Sequence, residues 1–221
     1  FGNYLNLPNT IPIKGSFTLH PRPGKWMQII KTLRYSFRYR GWVNKIGLRN
    51  PGLDYALKYY RNNIISIAIL EDNEIDQIIN KLPEDQDIEL NVSCPNTEKD
   101  LISNNLHKFL NPQRNWCIIK LSPFTNINKV DQFYKDGFRQ FHCSNTIPIQ
   151  EGGLSGKSII PYTSKLIKEI KKKYPDTEII AGGGIRDKHT LDYYKALGAD
   201  HFSICSILFN PVQFIFFFYN L

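Results

Sequence analysis

Short apolar runs alternate along this chain with stretches whose apolar residues recur every three to four positions. Strand-like runs fall at Ile11–Leu19, Ile64–Leu70, Asp87–Val92, Trp116–Leu121, Gln140–Cys143, Glu178–Ala181 and His201–Cys205. Helix-like stretches fall at Pro51–Arg61, Glu74–Leu82, Lys99–Leu110, Asn128–Lys135, Pro161–Tyr174, Lys188–Leu197 and from Pro211 onward. Ile75, Ile78, Ile79 and Leu82 share the spacing of one buried helix face. Pro51 and Pro161 suit first-turn positions, and Gly137 and Gly198 stand where helices stop. The stretch Lys25–Trp42 fits either a helix or an excursion of short strands.

Strands that alternate with helices predict a parallel sheet with helical crossovers. Both a doubly wound sheet and a barrel satisfy that pattern. About seven strand units, with polar or glycine-rich clusters after nearly every strand, favour a (β/α)8 barrel with its site at the C-terminal ends of the strands. The missing unit is expected to be the first strand and helix, because the chain opens mid-element on Phe1-Gly2-Asn3-Tyr4 without Met and reads as an excerpt. A length of 221 residues suits one domain spanning 1–221. The apolar tail Phe214–Tyr219 is too short for a bilayer span of roughly 20 residues and is expected to be a buried final helix, with a membrane contact as the lesser reading.

Composition narrows the class without naming it. Hydrophobic residues at 42% and charged residues at 22% exclude global disorder. The net charge of +8 is read as solubility, or as preference for an anionic ligand. Lys171, Lys172 and Lys173 end a predicted helix, where cations complement its dipole. Four cysteines without a C-x-x-C pair point away from zinc and dithiol chemistry and suit a reducing compartment; no metal site is expected. Cys117, Cys143 and Cys205 lie in apolar runs and are expected to be small core residues.

Cys94 stands apart, in Asn91-Val92-Ser93-Cys94-Pro95-Asn96-Thr97 at a strand end. Asn side chains offer both donors and acceptors, which suits a flat ring with amide and carbonyl edges, and a thiol can exchange a proton near neutral pH. A buried Cys beside Asn-Pro turn residues explains the cluster equally well when it stands alone. Lys120, among apolar strand residues, is expected to point inward and meet an anion or an electron-rich cofactor. Ser144-Asn145-Thr146 adds an amide and two hydroxyls after the next strand. The glycine-rich loop Gly152–Lys157 lacks P-loop spacing. Gly182-Gly183-Gly184 and Ser206 follow the last two strands, where barrels commonly bind phosphate through backbone N–H groups.

Together these segments resemble the dihydroorotate dehydrogenase family from about Gly15 to Pro211. Gly15–Thr18, Pro21–Gly24, Val43–Gly52, Asn91–Thr97, Lys120, Ser144–Thr146, Gly152–Lys157 and Gly182–Gly184 follow in the family's order. The resemblance implies FMN and the oxidation of dihydroorotate to orotate in pyrimidine (UMP) biosynthesis. It implies Cys94 as catalytic base. It assigns substrate contacts to Asn44, Gly47, Leu48, Asn91, Asn96, Asn145 and Thr146. The flavin would be lined by Gly15, Ser16, Asn91, Lys120, Ser144, Asn145, Ser155, Gly156, Gly183, Gly184, Cys205 and Ser206.

Cys at position 94 resembles the soluble members, whereas Gly15-Ser16-Phe17-Thr18 looks more like the quinone-using branch. The electron acceptor therefore stays open among fumarate, NAD through a partner subunit, and a quinone. A cytoplasmic protein is expected, with membrane association if the quinone-type branch applies. Nucleic acid is not expected as a partner, and a homodimer is allowed. The resemblance places the family's first flavin loop just ahead of Phe1, so that part of the flavin site is expected before the first residue of this sequence. A tRNA-dihydrouridine synthase resembles the chain in fold, flavin and an Asn…Cys-Pro loop. It is the alternative enzyme, and a non-catalytic barrel that binds flavin or phosphate is the alternative outside enzymes.

Overall fold

The computed structural model describes residues 7–92 and 105–219. Seven parallel strands form one curled sheet: β1 (Ile13–Phe17), β4 (Ile64–Ile67), β5 (Ile88–Asn91), β6 (Cys117–Lys120), β7 (Gln140–Cys143), β10 (Glu178–Gly182) and β11 (His201–Ser203), hydrogen-bonded in that order. Among the described residues β1 and β11 are the two edges, so this is a (β/α) barrel opened along one seam. Helices α2 (Leu53–Tyr60), α3 (Glu74–Lys81), α4 (Ile127–Lys135), α5 (Ile160–Lys173) and α6 (Lys188–Ala196) cover its outside.

The two faces of each strand carry different chemistry because side chains alternate. Outward residues such as Ile65, Ile67, Leu90, Ile119, Phe141, Ile179 and Ala181 join Ala56, Ile75, Ile78, Val130, Phe133, Leu166 and Ile170 of the helices in one large buried core. The barrel floor is a second apolar cluster of Ile64, Ile118 and Ile180, with Ile13 and Trp116 against it.

Two insertions leave the C-terminal ends of barrel strands and pair with each other. After β1 come α1 (Lys25–Thr32), β2 (Arg34–Ser36) and β3 (Gly41–Asn44); after β7 come β8 (Ile147–Ile149) and β9 (Gly152–Gly156). The four strands form an antiparallel sheet in the order β2-β3-β9-β8. Lys25–Trp42 is thus both a helix and short strands. The glycine-rich segment 152–156 is a strand and not a loop. Glycine is required there because a Cβ at Gly152, at φ 132, would collide with the backbone carbonyl of Asn44. Val43, Ile147, Leu154 and Ile159 make a small core under this sheet.

Other differences are local. α2 starts at Leu53, so Pro51 precedes it and Gly52 intervenes at φ 91. Pro161 does occupy the first turn of α5. Of the predicted helix Lys99–Leu110, the described part is a 3-10 turn at Leu106–Phe109. The final helix α7 (Pro211–Tyr219) buries only Phe217, while Val212, Ile215, Phe216 and Tyr219 are exposed, so it is half sunk and not the buried helix expected. Cys205 is exposed, not a core residue, because β11 ends two residues before it.

Asn50 locks the first insertion to the barrel. Its Oδ1 accepts from the N–H groups of Thr18 (3.2 Å) and Gly52 (2.8 Å), and its Nδ2 donates to Thr18 Oγ1 (2.9 Å) and the Leu48 carbonyl (2.7 Å). Asn50 is 5% exposed, so these partners have little water to replace it. Asn50→Ala is expected to lower unfolding free energy by about 1–3 kcal/mol, read from the urea midpoint, because buried donors lose their acceptor. An unchanged midpoint contradicts this role.

Candidate active site

The inward face of the strands carries a continuous polar layer above the apolar floor. Glu89, 0% exposed, is its centre. Its Oε2 lies 2.6 Å from His142 Nδ1, and its Oε1 accepts from Ser66 Oγ at 2.7 Å and from Lys120 Nζ at 3.2 Å. The register explains the meeting: Ser66 pairs with Glu89 across β4 and β5, and Lys120 with His142 across β6 and β7. Ser66 Oγ continues the chain to Ser16 Oγ of β1 at 2.9 Å. Ser16 then accepts from Asn91 Nδ2 at 2.9 Å, and Asn91 Oδ1 from Asn145 Nδ2 at 3.1 Å. The connected polar side chains thus span β1, β4, β5, β6 and β7 and end on two amides at the C-terminal mouth.

Burial alone would raise the Glu89 pKa. Lys120 and His142 beside it, with hydrogen bonds from His142 and Ser66, outweigh burial and hold the carboxyl well below the usual carboxylate range. Burial, then the Lys120 charge, pushes His142 below its ordinary value of 6.5, against the pull of Glu89. His142 is therefore neutral at pH 7 and donates Nδ1–H to the Glu89 carboxylate. Among the other cysteines, burial pushes the Cys117 thiol up to about 12 and Cys143 higher still, so neither suits proton exchange at neutral pH.

Ser16, Asn91, Lys120 and Asn145 are the expected site residues that this network joins. Asn44, at the end of β3, pairs with Gly153 of β9, and the Thr146 side chain packs directly against Gly153. These two expected substrate residues therefore both border one glycine. Gly47 and Leu48 form a left-handed turn, φ 67 and 55, on the loop that Asn50 anchors. Ser144 is buried, and its hydroxyl meets Thr163 Oγ1 of α5 at 2.9 Å, which turns it toward the barrel wall. The Gly183 carbonyl accepts from Tyr194 at 2.8 Å. Ser155 pairs with Trp42 across β9 and β3. Cys94 and Asn96 lie outside the described residues.

Two cavities border this framework. One of about 580 Å³ runs through the open seam of the barrel and is lined by Gly15, Ser16, Glu89, Lys120, His142 and Cys205, among others. The second, of about 440 Å³, is lined by Gly156, Gly184 and Ser206 together with Arg40, Lys157 and Arg186. Cys205 and Ser206 are adjacent in the chain, so the 3-10 turn Ser206–Phe209 begins between the two cavities. Glu89, Ser66 and His142 escaped the linear reading. The signal was present in Ile88-Glu89-Leu90-Asn91, where a charged residue between apolar strand positions carries the argument that singled out Lys120.

The pH dependence has a definite sign. In the unfolded chain His142 gains a proton as pH falls through about 6.5 and Glu89 as it falls through about 4.5, while the folded protein resists both. The unfolded state binds more protons in each window, so both contributions to stability are lost as pH falls. Urea midpoints measured from pH 7 to pH 4 should decline. Glu89→Gln should cost about 3 kcal/mol at pH 7 by leaving Lys120 without its counter-charge, and should flatten the decline below pH 5. A variant that tracks the wild type at every pH contradicts the network's role.

Comparison with known proteins places the arrangement in context. A family model described as dihydroorotate dehydrogenase matches residues 4–215. The catalytic subunit of dihydroorotate dehydrogenase B (NAD(+)) from Thermotoga petrophila is 27% identical, covering 95% of this chain and 88% of its own length. The same subunit from Streptococcus pneumoniae is 29% identical over 82% of this chain and 70% of its own. A putative dihydroorotate dehydrogenase A (fumarate) from Aquifex aeolicus is 27% identical over 66% and 60%. The crystal structure of DHODH from Eimeria tenella, in complex with ferulenol, superposes with a TM-score of 0.70 at 16% identity, covering 90% of this chain and 70% of that one, a likeness of fold alone.

Proposed function

The chain belongs to the dihydroorotate dehydrogenase family, the enzymes that oxidise dihydroorotate to orotate in pyrimidine biosynthesis, and on that premise we propose that this barrel does so with FMN held at its C-terminal mouth. The observation that carries this reading is the pair of hydrogen-bonded amides, Asn91 and Asn145, standing over the Lys120–Glu89 ion pair beside the larger cavity.

The donor set fits the cofactor. Gly156, Gly184 and Ser206, flanked by the cations Arg40, Lys157 and Arg186, offer backbone and hydroxyl donors plus positive charge to a phosphate. Gly15, Ser16, Lys120 and Cys205 line the cavity that would take the ring system, and the amides Asn91 and Asn145 are joined to it through Ser16; Ser144, Ser155 and Gly183 are the remaining residues we assign to the flavin. When bound, FMN supplies the hydride acceptor of the reaction.

The protein's share is proton removal and positioning. Oxidation takes a proton from one ring carbon and a hydride from its neighbour, leaving a carbon–carbon double bond. Cys94, three residues beyond the end of β5, takes the proton as thiolate. Asn44, Asn91, Asn96, Asn145 and Thr146 hold the amide edges and carboxylate of the substrate, and the turn at Gly47–Leu48 borders them. Lys120 presents a positive charge whose position is set by Glu89, and such a fixed charge favours an anionic state beside it.

Replacing Cys94 with Ala should slow anaerobic reduction of bound flavin by dihydroorotate by about 100-fold or more while FMN stays bound, since a general base contributes ~10²–10⁴-fold. Wild-type reduction rates in that variant remove Cys94 from the mechanism. Reoxidation of the reduced protein by fumarate, by a quinone, or by NAD with a second subunit then assigns the acceptor.

A further inference from the structure

All of the chain's excess charge lies in its first quarter. Residues 1–53 hold nine Lys and Arg and no Asp or Glu, whereas the remaining 168 residues hold nineteen and twenty. The structure gathers much of that charge on the insertion after β1. Lys31, Arg34, Arg38, Lys45 and Arg49 are all exposed, and none is ion-paired among the described residues. The same insertion bears several strongly exposed apolar side chains. On α1, Trp26, Met27 and Ile30 are 63%, 61% and 82% exposed, and Phe37 in the β2–β3 turn is 87% exposed. No residue of α1 is buried.

We propose that α1 and the β2–β3 hairpin form a peripheral docking surface for an anionic lipid bilayer. Trp26, Met27, Ile30 and Phe37 would enter the headgroup–acyl boundary, and the surrounding Lys and Arg would meet lipid phosphates and carboxylates. Three features select this occupant. The charge is of one sign, which complements an anionic surface and falls within a Debye length of it. The apolar groups are protruding knobs on a short helix and a turn, which a fluid acyl layer accepts without a shaped pocket. Met27 and Ile30 are aliphatic or thioether chains that gain little against the polar grooves of nucleic acid. No helix among the described residues is long and apolar enough to cross a membrane, so contact here would be interfacial. The insertion is held firmly for such a task. Gln28 Nε2 donates to the Lys45 carbonyl at 2.9 Å, the Lys45 N–H donates to Thr32 Oγ1 at 3.0 Å, and Tyr35 packs edge-on against Trp42, 5.6 Å between centroids. The proposal does not depend on the catalytic reading.

The test is flotation of the full chain with vesicles of phosphatidylcholine alone or with about one third phosphatidylserine, at low and high salt. Binding should be tenfold or more stronger to the anionic vesicles and should weaken with salt. Ile30→Ser combined with Phe37→Ser, and separately Lys31→Glu combined with Arg38→Glu, should each reduce it by about tenfold, with far-UV circular dichroism and melting unchanged because the four side chains are exposed. Trp fluorescence should shift to the blue on vesicle addition, and Trp26→Phe should remove that shift. Equal binding to neutral vesicles, no binding, or binding indifferent to both double variants overturns the proposal. So does capture of transfer RNA or an acidic protein that those variants abolish while vesicles are ignored.

Discussion

One buried carboxylate organises the interior of this barrel. Glu89 has no exposed surface, and an ionised carboxylate in such a place persists only if neighbours replace water. Ser66, Lys120 and His142 do so from the two strands on one side and the one on the other. Each partner is constrained in return. Lys120 is drawn inward, His142 is fixed with its proton on Nδ1, and Ser66 is left to meet Ser16. The amide pair at the mouth therefore rests on a polar column whose base is one charge.

Around that column the architecture separates tasks by direction. Outward strand residues bind the helices through a continuous apolar core, and the floor isoleucines close the bottom. The C-terminal ends are left for chemistry, and both insertions arise there. Their antiparallel sheet brings Asn44 against Gly153, and so beside Thr146, joining residues about a hundred positions apart. That approach depends on missing side chains: Gly152 sits where the Asn44 carbonyl leaves no room for a Cβ. Glycines in this segment thus serve strand packing, and Gly156 alone of them also reaches the smaller cavity.

Much of the fold was legible in the linear pattern. All seven barrel strands appear where short apolar runs were read, and α3, α4, α5 and α6 fall within two residues of their predicted bounds. These elements obey a single period each, so local pattern and burial agree. The second sheet was not legible. β9, Gly152-Gly153-Leu154-Ser155-Gly156, carries mostly turn residues, and β8, Ile147-Pro148-Ile149, is three residues broken by a proline; β9 is a strand because β3 pairs along one edge, and β8 because β9 offers its other edge. The exposure of Cys205 and of most of α7 likewise depends on where neighbouring elements stop.

For the site, the sequence by itself determined residue chemistry and order: amides after β5 and β7, a lysine on β6, glycines after β10, and a cysteine flanked by Asn and Pro. These suffice for the family because they are local motifs. The tertiary structure alone decided which of them meet. Strand register set Lys120 opposite His142 and Ser66 opposite Glu89, and only that register turns four scattered polar residues into one network. Hydrogen bonds and ion pairs act over about 3 Å, and no spacing along a chain encodes which strands will stand that close.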